Sequence, residues 1–146
     1  MRPIVVSMNW LTWSLLSALF AGLTAILAKI GVSGVDSNLA TAVRTSVVLV
    51  FAWGVALATG PAAAVFTLSR RTWLFLSLSG LATGLSWLCY FRALQIGEAS
   101  KVAPVDKLSV VFVLAFAAVF LGEALTLKTV IGGTLITAGA IVLALK

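Results

Sequence analysis

Apolar residues run in five long blocks, separated by short polar breaks. The blocks are Trp10–Lys29, Asn38–Thr59, Trp73–Leu94, Val102–Leu121 and Leu127–Leu145. Each has about the 20 helical residues that cross a bilayer core of about 30 Å. No block shows the strict alternation of a strand, and only helices and closed barrels span hydrocarbon. The pattern therefore predicts an all-α integral membrane chain with five transmembrane helices in a single domain over residues 1–146.

The breaks carry turn and cap chemistry. Gly31 to Asn38 closes the first span and caps the second. Gly60-Pro61 stops the second, and Ser69-Arg70-Arg71-Thr72 introduces the third. Gly97 and Ser100 bracket the next loop, Gly122 ends the fourth span, and Thr126 is placed to cap the fifth. The run from Trp10 to Ala28 follows Arg2, the order in which a signal peptide begins. It is longer than a typical signal core and no A-x-A site follows, so it reads as a retained span.

Composition agrees. The chain has 146 residues, 62% hydrophobic and 10% charged, against roughly 25% charged in soluble domains. The net charge of +6 is scattered and forms no basic stripe, so the bilayer is the expected partner and nucleic acid is not. There is no histidine and one cysteine, Cys89. That excludes an internal disulfide, a cysteine–histidine metal set and a histidine-based triad. Cys89 reads as a small packed residue. Without paired carboxylates or a metal set, no enzyme is expected, and no cofactor or metal.

Five spans put the termini on opposite sides. Trp10, Trp13 and Trp73 fall at span ends on the N-terminal side, as an aromatic belt would. Arg2, Arg70, Arg71 and Lys128 lie on that side. Lys29, Lys101 and Lys146 lie opposite, with Arg44, Arg92 and Lys107 inside span ends. The bias is small and changes sign with those last three. Two readings stand: insertion in both orientations, or one orientation set by Arg70-Arg71 with a cytoplasmic N-terminus.

Ionisable groups inside spans mark functional sites by default. Arg44, Arg92, Asp106, Lys107 and Lys29 all belong to one leaflet by this topology. Asp106 and Lys107 are adjacent, and adjacent helical residues diverge by about 100°, so their partners are expected elsewhere. Arg44 and Arg92 are the candidates for Asp106. Pro104 either breaks the helix and frees carbonyls or sits harmlessly near its first turn, with Lys107 snorkelling to the headgroups. Trp87 and Tyr90, three apart, form either an aromatic wall for a substrate, including a cationic one, or a packing face. Glu123 is expected to bond the start of span five or Lys128. Gly80 and Gly84 make a GxxxG; Ala18, Gly22 and Ala25 line span one, and Gly132 and Gly139 line span five. Such stripes report helix packing, within or between chains.

Several stretches together resemble one known pattern. They are Tyr90-Phe91-Arg92-Ala93-Leu94, Gly97-Glu98-Ala99-Ser100-Lys101-Val102-Ala103-Pro104, Leu121-Gly122-Glu123, and Gly132-Gly133 through Gly139. In order and spacing they resemble the EamA domain of the drug/metabolite transporter superfamily, especially its short five-span members. The resemblance implies one half of a ten-helix inverted-repeat architecture that moves small metabolites by alternating access. It implies that spans three and four help line a cavity, placing Trp87, Tyr90, Asp106 and Lys107 near it. The membrane glutamate that four-span multidrug exporters of the superfamily carry in their first span has no counterpart here.

These readings combine into a small-molecule transporter, an exporter of metabolites or amphipathic or cationic compounds, working in the cell membrane as a homodimer with a cavity lined by spans one to four. Two five-helix units in tandem are automatically inverted, so a single five-helix chain reaches that architecture by pairing two antiparallel copies. Asp106 would take a cationic group or a proton; Lys107, Arg92 or Arg44 would balance it or hold a carboxylate. A zwitterion suits both. The alternative is a non-transporting subunit that stabilises a partner protein through its small-residue stripes.

Overall fold

A computed structural model describes residues 9–60 and 62–145 of the chain. The expectations on Arg2, Pro61 and Lys146 lie outside the described residues. Six α-helices follow in order: α1 Trp10–Gly31, α2 Ser37–Thr59, α3 Arg70–Ile96, α4 Ala99–Asp106, α5 Ser109–Phe120 and α6 Leu127–Ala144. A short 3-10 helix, Ala62–Thr67, precedes α3. With α4 and α5 taken as one 22-residue run, five segments are long and apolar enough to cross a membrane.

The ends are set by local chemistry. The Asp36 carboxylate accepts from the Asn38 and Leu39 N–H groups at 2.9 and 3.0 Å, capping α2. Ser69 Oγ accepts from Thr72 N–H at 3.1 Å and Thr126 Oγ1 from Thr129 N–H at 3.2 Å, so both expected caps form. Gly122, at φ +68°, lets the Glu123 N–H fold back onto the Ala117 carbonyl at 3.1 Å and end α5. Only the Glu123 backbone takes part. Among the described residues its carboxylate neither caps α6, where Thr126 does so, nor pairs with Lys128. The third and fourth spans start three residues earlier than expected. α3 begins at Arg70 because Ser69 caps it, and α4 begins at Ala99, so Ser100 and Lys101 are helical and the loop shrinks to Gly97 and Glu98.

Inside the spans, hydroxyls close on their own helices. Ser14, Thr41, Thr45, Ser46, Thr59, Thr83, Thr134 and Thr137 each donate to the carbonyl four residues back. Hydrocarbon offers no alternative partner, so this is how a polar side chain survives there.

The chain gathers into two compact units. In the first, which holds α1 and α4 to α6, α6 packs on α4 and on α5. The contact face of α6 is one residue away from the expected stripe. Gly133 and Ala140 are the buried positions, not Gly132 and Gly139. At Gly133 an added Cβ would sit 3.0 Å from Leu114 Cδ1; at Gly132 and Gly139 it would meet nothing within 4 Å. In the second unit, residues 31–98, α2 packs on α3, and Val32, Ser37, Thr41, Phe91 and Leu94 are buried. Gly80 and Gly84 face open space. Cys89, expected as packed, is exposed. Large apolar side chains are exposed along every span, as suits a chain whose solvent is lipid.

The Gly133 contact gives a direct test. Gly133→Val forces a branched side chain into Leu114 and is expected to cost about 1–3 kcal/mol, read as a lower Tm in detergent. Gly54→Ala, which fills open space, is expected to leave Tm unchanged or slightly raised.

Candidate functional site

Each unit carries its own charged feature. In residues 31–98 it grows from one face of α3. Trp87, Phe91 and Gln95 recur every four residues, so they stack on one side of the helix. Gln95 Nε2 donates to the Val35 carbonyl at 2.8 Å, which levels the end of α3 with the turn before α2. Arg92 donates from its guanidinium to Gln95 Oε1 and steadies that amide. From this level, Arg44 lies about 10 Å along α2, counted from Ser37, while Phe91 and Trp87 lie about 6 and 12 Å back along α3, at 1.5 Å per residue.

The Arg44 guanidinium carbon sits 4.2 Å from the Trp87 ring centroid and 5.6 Å from that of Phe91. Both are within the roughly 6 Å range of a cation–π contact. The guanidinium is nearer the deeper ring, so it does not snorkel outward. Tyr90 lies within electrostatic range of it. Phe91 is 3% exposed, while Trp87 is half-buried. The indole expected to face a substrate thus carries the chain's own cation. The balance of energies is informative. Arginine at a span centre costs about 2.5–3.5 kcal/mol on insertion scales, while a desolvated cation–π contact returns up to about 2 kcal/mol.

In the other unit the feature is a helix break. Pro104 is the sixth residue of α4, beyond the first turn, and it lacks the N–H that the Ser100 carbonyl would otherwise receive. Just after it the bonding tightens from four-residue to three-residue spacing. Lys107 N–H bonds to the Pro104 carbonyl at 3.1 Å, Leu108 to Val105 at 3.0 Å, and Val110 to Lys107 at 3.0 Å. Pro104 thus lies just after the first turn, and the helix tightens immediately beyond it. The tightened turn also alters the expected independence of Asp106 and Lys107. Lys107 Nζ reaches Asp106 Oδ2 at 3.5 Å. That is longer than the usual 2.7–3.2 Å bond, and both side chains stay exposed, so each retains capacity for another partner.

The same unit has an open groove of about 330 Å³ between α5 and α6, flanked by Leu114, Gly133, Thr134 and Thr137. Both threonine hydroxyls are spent on their own helix. The groove suits hydrocarbon, and it lies between the fourth and fifth spans rather than among the first four.

Of the expected site residues, Arg44, Trp87, Tyr90 and Arg92 gather on the α2–α3 pair, and Asp106, Lys107 and Pro104 gather at the α4–α5 break. Phe91 and Gln95 were not singled out in the sequence. Their four-residue spacing from Trp87 was the available signal.

A family model described as the EamA-like transporter family matches residues 8–145. A Sinorhizobium sp. protein described as an uncharacterized transporter in the cobO 3' region is 52% identical over 139 residues, 95% of this chain and 99% of its own length. No solved structure matches. The chain belongs to the EamA-like transporter family. It is a multi-pass membrane protein of a transporter class, all-helical with five spans, and that family points away from an enzyme.

A double-mutant cycle tests the α2–α3 cluster. Arg44→Gln and Trp87→Leu, singly and together, are expected to show a coupling of about 0.5–2 kcal/mol in reversible detergent unfolding; additive effects would contradict the contact. Asp106→Asn, at an exposed pair, is expected to shift stability by less than about 1 kcal/mol in the same assay.

Proposed function

We propose that the chain exports a small metabolite or amphipathic compound across the cell membrane by alternating access, working as a homodimer. The observation that carries the reading is a carboxylate and an ammonium held exposed at a helix break inside a spanning segment of a transporter-family chain. A break of this kind serves where backbone lines a cavity. Asp106 receives a cationic group of the solute or a proton, and Lys107, 3.5 Å away, balances it when the solute leaves.

Span parity supports the dimer. One five-span chain is half of an inverted pair, and two oppositely inserted copies complete it. The open faces at Gly80 and Gly84 suit close approach of another helix. The same open faces support the second reading, a non-transporting subunit whose working surface is that stripe. Purification in a stable complex with an unrelated protein, without solute flux, would favour it.

Two experiments test the first reading. Asp106→Asn in inside-out vesicles is expected to lower solute accumulation at least tenfold, while protein level and fold are retained. Undiminished transport of every solute found would remove Asp106 from the mechanism. Reporters active on one side of the membrane only, fused to the C-terminus, are expected to give signal from both sides. Signal from one side alone would sink the antiparallel dimer.

A further inference from the structure

The Arg44 guanidinium is seated against two rings, its carbon 4.2 Å from the Trp87 ring centroid and 5.6 Å from that of Phe91. A guanidinium has five N–H donors in its plane, and neither ring offers them an oxygen. Among the described residues of 31–98, no carboxylate is ion-paired with Arg44. The unit has two carboxylates and neither is spare: Asp36 is held by the first amides of α2, and Glu98 has an interaction of its own. The second arginine of the cluster, Arg92, is turned onto Gln95. The hydroxyls of the neighbouring turns, Thr41 and Thr45, donate to α2 carbonyls and offer only neutral lone pairs.

The result is a cation about 10 Å along a spanning helix, seated on two rings and with no carboxylate paired to it among the described residues of its unit. The guanidinium fork matches the two oxygens of a carboxylate or phosphate in a bidentate pair. Seating on the rings reduces the side-chain freedom that a bound anion would otherwise have to freeze out.

We infer that Arg44, seated on Trp87 and Phe91, is an oxyanion-binding site, and that the transported solute carries a carboxylate or a similar oxyanion. This rests on the transporter reading and narrows its substrate class. It also reverses the sense expected for the aromatic wall: the rings orient the chain's own cation toward an anion instead of receiving a cation from the solute. An oxyanion can come from a dissolved solute or from a lipid phosphate. The depth of Arg44, nearer the deeper of its two rings, favours the solute.

The test uses the whole chain in phosphatidylcholine nanodiscs and three matched five-carbon probes: glutarate, its neutral diamide glutaramide, and the dication cadaverine. Calorimetry is expected to show glutarate binding at least tenfold tighter than either of the others. Arg44→Gln is expected to lose that preference, and Arg44→Lys, which keeps the charge without the fork, to fall between. Equal binding of the three probes, or no binding of any, overturns the site; so does an Arg44→Gln protein that binds like the wild type. If Arg44→Gln does not fold, the probe comparison on the wild type alone decides. Loss of glutarate binding on adding phosphatidylglycerol, at an ionic strength that screens surface charge, would assign the fork to lipid phosphate and overturn the solute reading. Charge-selective binding without flux in vesicles would keep the site and sink the transporter reading. Flux indifferent to Arg44→Gln would do the reverse.

Discussion

Hydrocarbon gives a polar group nothing to bond to, and the rest of this chain is arranged around that constraint. Backbone groups are closed by helix formation. Eight hydroxyls within the spans are closed by bonding to the carbonyl one turn back. Helix ends are closed by Asp36, Ser69 and Thr126, or by the left-handed Gly122. Three charged groups are closed less completely among the described residues: Arg44 rests on rings without a paired carboxylate in its unit, and Asp106 and Lys107 meet only at 3.5 Å. A chain selected only to sit in lipid would have no use for them.

The two features use different devices. On the α2–α3 pair a cation is held by rings, so it is anchored without being neutralised. At the α4–α5 turn a proline removes one donor, the helix tightens, and two opposite charges come within 3.5 Å without forming a close pair. Both arrangements leave charge that is positioned yet incompletely satisfied. That condition suits a transporter, which must bind a solute and also let it go.

The spans were legible in the sequence because apolar length is a property of the chain alone. The five blocks differ from the helices by a few residues at their ends, and the caps at Ser69 and Thr126 form as their residue types imply. What the sequence concealed was rotation about each helix axis. In water, an apolar stripe marks the inward face. Here both faces are apolar, so nothing in the pattern distinguishes Gly133 and Ala140, which are buried, from Gly132 and Gly139, which are not. The same loss of contrast put Cys89 inside when it is exposed, and hid Phe91, which joins Trp87 against Arg44. The contact between Asp106 and Lys107 was concealed differently. It depends on a turn of three-residue spacing that an ideal helix does not contain.

The central claim is that this chain alone moves solute across a bilayer and that its intramembrane charge takes part. Charge-displacement current on a solid-supported membrane measures this most directly. Proteoliposomes holding only the purified chain are exposed in turn to anionic, neutral and zwitterionic metabolites, with the wild type beside Arg44→Gln. The wild type is expected to give saturable currents with solutes that bear an oxyanion, and the variant to lose them. Silence from the wild type across the panel, or equal currents from the variant, would contradict it.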